Sequence, residues 1–284
     1  MLLSLKNIVK YRADRCLLKI ASLKIHEGEK IGIIGRNGVG KSTLFGILAG
    51  TIQPDEGEVN RYCLCSYVPQ LDADSRPAPI LNRSLAGQLA GQQEYSEIMS
   101  GGEKTRYRLA VAFSEDRPLL LADEPAANLD ISGTTLLQAK LQSFRGTLIL
   151  VSHDRRLINE VCNVIWEIEE GRLRVYQGNY RQFLSQKENE KKNQQREYEK
   201  YRREKHHLEQ AVRDRNSRSS TLRKTPKRMG NSEARLHKMG NQKAKANLDK
   251  AVKALETRLA KLERREKPKA GPAINFALNS ADGL

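Results

Sequence analysis

Gly35-Arg36-Asn37-Gly38-Val39-Gly40-Lys41-Ser42 is the stretch that decides the fold. It matches G-x-x-x-x-G-K-[ST], a pattern that acquires meaning only between a strand and a helix. Upstream, Lys30-Ile31-Gly32-Ile33-Ile34-Gly35 reads as a short buried strand, and residues 43–50 downstream have helical spacing. A glycine-rich turn in that position lets backbone N–H groups curl around phosphate oxygens without a Cβ in the way. The N-terminus of the helix adds a favourable dipole. Gly35, Asn37, Gly38, Gly40 and Thr43 are expected to line the cradle. Lys41 is expected to reach the β- and γ-phosphates, and Ser42 to ligate Mg²⁺.

Working outward, Leu119-Leu120-Leu121-Ala122-Asp123-Glu124-Pro125 is an apolar strand that ends in two acids. Asp123 is then placed to hold Mg²⁺ through its water shell, and Glu124 to orient and polarise a water beside the γ-phosphate. A third apolar strand covers 147–152. Strands separated by helical patterns predict an α/β domain with a largely parallel sheet. In these 284 residues there is ample chain for a substantial core. No run of 18 uncharged apolar residues occurs, so the sequence predicts no membrane span. Met1-Leu2-Leu3-Ser4-Leu5-Lys6 has neither a basic region nor a long apolar core, so no signal peptide is expected. Cys16, Cys63, Cys65 and Cys162 have no metal-ligand or framework spacing, which predicts a reduced, cytoplasmic protein.

Many unrelated enzymes share a phosphate loop, so the class must come from other motifs. Met99-Ser100-Gly101-Gly102-Glu103-Lys104 opens a helix and is itself an anion-binding N-terminus. Gln70 precedes it, and Asn128-Leu129-Asp130 and Val151-Ser152-His153-Asp154 follow the two acids. In this order the motifs resemble those of ATP-binding cassette ATPases. The resemblance implies that 1–178 are one nucleotide-binding domain for ATP and Mg²⁺, with Ser42, Gln70 and Asp123 around the ion. It implies that Gln70 lies near the attacking water, that Glu124 and His153 (the switch histidine) serve hydrolysis, and that Asp130 lies at a dimer interface. Ser100, Gly101 and Gly102 would form the signature that meets the γ-phosphate held by a different domain. Tyr11, 24 residues before Gly35, either stacks on adenine or is an ordinary core tyrosine. Ala126-Ala127 departs from the Thr-bearing form frequent in the family and leaves the acids untouched.

Charge divides the chain. Residues 1–178 hold 22 Lys+Arg against 21 Asp+Glu, whereas 179–284 hold 28 against 13, so nearly all of the net +16 lies in the last third. There Leu248, Val252, Leu255, Leu259 and Leu262 step by four and three, a heptad seam. An earlier helix over roughly 179–214 puts Tyr198, Tyr201, Leu208 and Val212 on one face. A Gly/Ser/Pro-containing stretch at 217–240 separates the two, which favours an antiparallel coiled-coil hairpin over 179–270 rather than a charged, partly disordered tail. Residues 213–245 carry 11 Lys+Arg and 2 Asp+Glu. That density at a tip predicts a polyphosphate partner: nucleic acid ahead of an anionic membrane, since the tip lacks a Trp/Phe/Leu insertion face.

A cassette followed by a basic hairpin resembles the ABC-F family of ribosome-acting ATPases. Asn179-Tyr180, Gln195-Arg196-Glu197-Tyr198-Glu199-Lys200 and Ser232-Glu233-Ala234-Arg235 echo that family. Only 29 residues, with Pro77, Pro79, Gly87 and Gly91 among them, separate Gln70 from Ser100. This interval leaves little room for a transporter's coupling surface or an inserted arm, and it looks most like the Vga/Msr-type antibiotic-resistance branch. The resemblance implies a hairpin that touches ribosomal RNA and tRNA. It also implies a second nucleotide-binding domain, in cis or in trans, to which 271–284 would begin the connection. The alternatives are a housekeeping ABC-F translation factor and the ATPase subunit of a transporter.

Overall fold

The computed structural model describes residues 1–70, 94–221 and 231–262. Pro77, Pro79, Gly87, Gly91, the centre of the basic tip and the connection at 271–284 lie outside the described residues. In chain order the elements are β1 (Leu3–Arg12), β2 (Arg15–Ile25), β3 (Lys30–Ile34), α1 (Lys41–Ala49), β4 (Glu56–Arg61) and β5 (Cys65–Val68). They continue with α2 (Gly101–Ser114), β6 (Leu119–Asp123), α3 (Ile131–Ser143), β7 (Thr147–Val151), α4 (Arg155–Val161), β8 (Val164–Glu169) and β9 (Arg172–Gln177). Two long helices close the list, α5 (Tyr180–Thr221) and α6 (Asn231–Lys261).

Nine strands form one sheet in the order β4-β1-β2-β9-β8-β3-β7-β6-β5. Among the described residues the sheet is mixed, with parallel pairings in the majority as expected, β2 with β9 included. Strand β3 runs parallel to β7 and β8, and β6 is parallel to β5 and β7. In contrast, β1 pairs antiparallel with β2 and β4, and β8 with β9. Short connections dictate this. Only Ala13 and Asp14 join β1 to β2, with Ala13 at φ 50°, and only Glu170 and Gly171 join β8 to β9, both at positive φ. A two-residue link cannot make a parallel crossover, and positive φ at both central residues is the hairpin turn geometry.

Both faces of the central strands are covered. Leu119 and Leu121 of β6 join one apolar cluster, with Ile31, Phe45 and Trp166, whereas Leu120 and Ala122 join another, with Leu109, Leu137 and Ile158. That alternation is the period-two side-chain pattern of a strand. Helix α1 lies on the first face, and α2, α3 and α4 supply the second. Each fully buried Leu, Ile or Phe contributes about 1.5–3 kcal/mol, so the sheet is a rigid base for the loops at its ends.

The chain divides into two compact units, Met1–Gln186 and Lys187–Leu284. The first extends past residue 178 because the opening turns of α5 belong to its core: Phe183 is buried, with its ring edge-on to Tyr176 at 5.0 Å. In the second unit α5 and α6 lie side by side. Ser219 Oγ donates to Asp249 Oδ1 at 3.0 Å, and Arg258 donates to Glu204 at 3.0 Å. As the contact moves back along α5 it moves forward along α6, so the helices run antiparallel. Leu208 and Val252 are buried, and Tyr198, Tyr201, Val212, Leu248, Leu255 and Leu259 are half-buried. The predicted separator at 217–240 is shorter than expected, since α5 runs to Thr221 and α6 starts at Asn231. Serines tolerate this extension because their hydroxyls find partners: Ser219 bonds across the pair, and Ser220 bonds back to Ser217 O at 2.7 Å.

Candidate nucleotide-binding site

The loop at 35–42 connects the end of β3 to α1. Gly38 and Gly40 have φ of 75° and 110°, the left-handed side of the map where L residues are strained. A Cβ on Gly40 would also come within 3.1 Å of the Leu17 and Leu18 side chains, so β2 closes one side of the loop. Leu44 N–H donates to Gly40 O at 2.8 Å and starts the helix. Lys41 Nζ folds back over the loop and donates to Gly35 O at 2.9 Å and Arg36 O at 3.2 Å.

Strand β6 delivers the two acids. Asp123 is 3% exposed. Burial pushes its carboxyl above the ordinary range, against the pull of the Ser42 hydroxyl and the Lys41 charge. Glu124 follows at φ 52°, an uncommon conformation for a residue with a side chain, held by its N–H donating to Val151 O at 2.9 Å. Its Oε2 accepts the His153 backbone N–H at 3.1 Å, and Oε1 lies 3.4 Å from His153 Nε2. That Oε1 is buried and has no hydrogen-bond donor among the described residues, the His153 ring being its polar neighbour.

These groups face one cleft of about 410 Å³. Asn37, Gly38, Gly40, Lys41, Ser42 and Thr43 of the loop line it, together with Gln70, Asp123, Glu124 and His153. Gly35 does not line it; its carbonyl accepts from Lys41 Nζ. Arg12 and Leu17 also line the cleft, and the sequence motifs did not point to them. Tyr11 does not line it. That residue is 46% exposed on β1, and its N–H donates to Asp55 Oδ2 at 2.6 Å. Ser42 and Asp123, two oxygen donors side by side at the phosphate loop, fit a hard cation such as Mg²⁺, with Gln70 on the same cleft. Among the described residues no three His, Cys, Asp or Glu side chains gather around a point, as suits an ion held chiefly by phosphate and water oxygens.

Ser100, Gly101, Gly102 and Asp130 form a second constellation outside the cleft. Ser100 caps α2 in a reciprocal box: Glu103 N–H donates to Ser100 Oγ at 3.3 Å, and Ser100 N–H donates to Glu103 Oε2 at 2.8 Å. The Ser100 hydroxyl, which donates to Glu103 Oε2 at 2.7 Å, and then the Ser100 N–H hold the Glu103 carboxyl below its usual range. Asp130 caps α3 by accepting from Gly133 N–H at 2.9 Å, while the Ser132 hydroxyl donates to its other oxygen at 2.6 Å, and its carboxyl is also lowered. Asn128, at φ 64°, sits against Gly102, where a Cβ would fall 2.6 Å from Asn128 O. Glycine is required there by close approach, and this packing joins the two caps into one surface.

Two family models described as ABC transporter match residues 18–77 and 166–242. The erythromycin resistance ATP-binding protein MsrA of Staphylococcus epidermidis is 37% identical over 92% of this chain and 55% of its own length. The ribosome protection protein VmlR of Bacillus subtilis is 35% identical over 70% of this chain and 37% of its own. ABC transporter F family member 2 of Arabidopsis thaliana is 32% identical over 64% of this chain and 30% of its own. The chain thus spans about half the length, or less, of the curated relatives it matches. Among solved structures, an RNase-L inhibitor has the same fold over 63% of this chain and 40% of its own, with a TM-score of 0.55 at 24% identity. Phosphate loop, paired acids, capped signature helix and relatives agree: the chain belongs to the F family of the ATP-binding cassette superfamily.

Proposed function

We propose that this chain binds and hydrolyses ATP with Mg²⁺ and uses the cycle to act in the cytoplasm on the ribosome, as a ribosomal protection factor conferring antibiotic resistance. The observation that carries the ATPase reading is the single cleft that Glu124 shares with Gln70, Asp123, His153 and the phosphate loop. Glu124 accepts a hydrogen bond from the attacking water and turns it toward the γ-phosphorus, and ADP leaves along the opposite direction. Lys41 and the loop N–H groups take the charge that develops on the phosphate oxygens. Ser42 and Asp123 would hold Mg²⁺, which when bound would supply charge neutralisation for the phosphates. Ser100, Gly101, Gly102 and Asp130 lie on a separate face, which suits a signature and a D-loop that complete the site of a second nucleotide-binding domain in cis or in trans. The ribosomal part is supported by the names of the relatives MsrA and VmlR and by the basic charge of 213–245. On this reading α5 and α6 are the stems of a coiled-coil hairpin, and its basic tip is the part that would meet ribosomal RNA and tRNA.

The test compares wild type with Glu124→Gln in ATP turnover and in co-sedimentation with ribosomes. Turnover is expected to fall by about 10²-fold or more, as for loss of a positioned base, while the ribosome-bound fraction in ATP rises. Equal ribosome association of the two proteins would defeat the proposal. Turnover that rises faster than linearly with chain concentration would mark pairing in trans.

A further inference from the structure

We infer that Arg108 is a positioning residue that ties the helix bearing Ser100, Gly101 and Gly102 to Gln70 in the cleft. The inference rests on the nucleotide reading of the cleft and concerns what holds one of its lining residues in place. Arg108 stands eight residues beyond the Ser100 cap on α2, about 12 Å along the helix axis. It is 8% exposed, and its neighbours Tyr107 and Leu109 are buried as well. A guanidinium keeps its charge at any working pH, so burying it costs free energy unless its N–H groups find acceptors. Arg108 Nη1 donates to Gln70 O at 3.4 Å.

That carbonyl belongs to a residue just past β5, one that lines the cleft with Ser42 and Asp123. Helix and strand are joined along their length. Val68 of β5 shares an apolar cluster with Leu109 and Ala112 of α2, and beyond the last turn of the helix Ser66 Oγ donates to Glu115 Oε2. With 70 tied to 108 and 66 tied to 115, α2 runs antiparallel to β5, so the Ser100 end of the helix is the end nearer Gln70. The last β5–β6 pairing is Val68 with Ala122, two residues short of Gln70. Arg108 therefore supplies a hold on Gln70 that the strand ladder no longer gives. A shift of the Ser100 end of α2 reaches Gln70 through this buried charge.

Equilibrium binding of ATP, with Mg²⁺ and with EDTA in its place, tests this on wild type, Arg108→Met, Gln70→Ala and the double variant. Arg108→Met is expected to weaken binding about tenfold in Mg²⁺ and to leave it unchanged in EDTA, where the phosphate loop acts without the cation. The double variant is expected to bind no more weakly than Gln70→Ala alone, because Arg108 acts through Gln70. Arg108→Lys, which keeps the buried charge, is expected to fall between wild type and Arg108→Met, and the same cycle is run on it where Arg108→Met does not fold. Losses that multiply in the double variant would overturn the inference. So would an equal loss in Mg²⁺ and EDTA together with a lower melting temperature, the mark of a purely structural arginine. If wild type binds ATP and the Arg108 variants match it, this inference alone fails; if wild type binds ATP in neither condition, the nucleotide reading fails and this inference with it.

Discussion

A carboxylate taken out of water and only partly compensated opposes folding, and Asp123 is in that position. Its folded-state pKa lies above the unfolded value near 4, so the folded protein holds the proton more tightly than the unfolded chain does. Stability therefore falls as pH rises through the window just above 4, and at neutral pH the cost is fully present. Asparagine keeps the shape without the charge. Nucleotide-free Asp123→Asn is expected to melt about 2–4 °C higher than wild type, and to lose the rise in melting temperature that Mg²⁺ and ATP give wild type. A lower melting temperature without nucleotide would mean that the Ser42 and Lys41 contacts outweigh burial. The residue would then be a stabilising acid, and its place in the cleft would not be a sacrifice of stability for binding.

Helix caps set a different pH dependence at the scale of elements. Glu103 and Asp130 cap α2 and α3, and both carboxyls are held below their usual range, first by side-chain hydroxyls and then by backbone N–H groups. A lowered folded-state pKa gives stability that is present above the unfolded value and lost as pH falls through it toward the folded one. Asp130→Asn keeps a good cap but removes the titration. The drop in melting temperature between pH 6 and pH 3.5 is expected to be smaller in that variant than in wild type, and an unchanged drop would locate the acid sensitivity elsewhere. Elements also show what sequence reasoning can reach. The β3–loop–α1 unit was legible because its glycines, lysine and serine have one physical use in that order. Strands β6 and β7 were legible as continuous apolar runs, and the seam of α6 as a heptad. The antiparallel β1, β2 and β4 were not, because solvent-facing charges break up their pattern. That Arg12 lines the cleft was not legible: the β1–β2 register shifts between Lys10 and Tyr11, and a one-residue slip exchanges the faces of everything beyond it.

For the whole molecule, the governing fact is how unevenly its charge is distributed. Residues 1–178 carry 22 basic and 21 acidic side chains and leave almost no net field, whereas 179–284 carry 28 and 13. On the proposed function, polyanion affinity belongs to the helical pair and nucleotide affinity to the sheet domain, so the two respond to different substitutions. Each neutralised phosphate contributes roughly −0.7 to −0.9 to the slope of log affinity against log salt. Replacing Arg213, Arg215, Arg218 and Lys245 together by Gln is expected to reduce the magnitude of that slope for structured RNA by up to about 3, while ATP affinity stays at the wild-type value. An unchanged slope would place the RNA contact away from these four side chains. Tighter binding of duplex DNA than of structured RNA by the unaltered chain would remove the ribosome as the partner, because a helical pair built for ribosomal RNA has no reason to prefer the straighter B-form duplex.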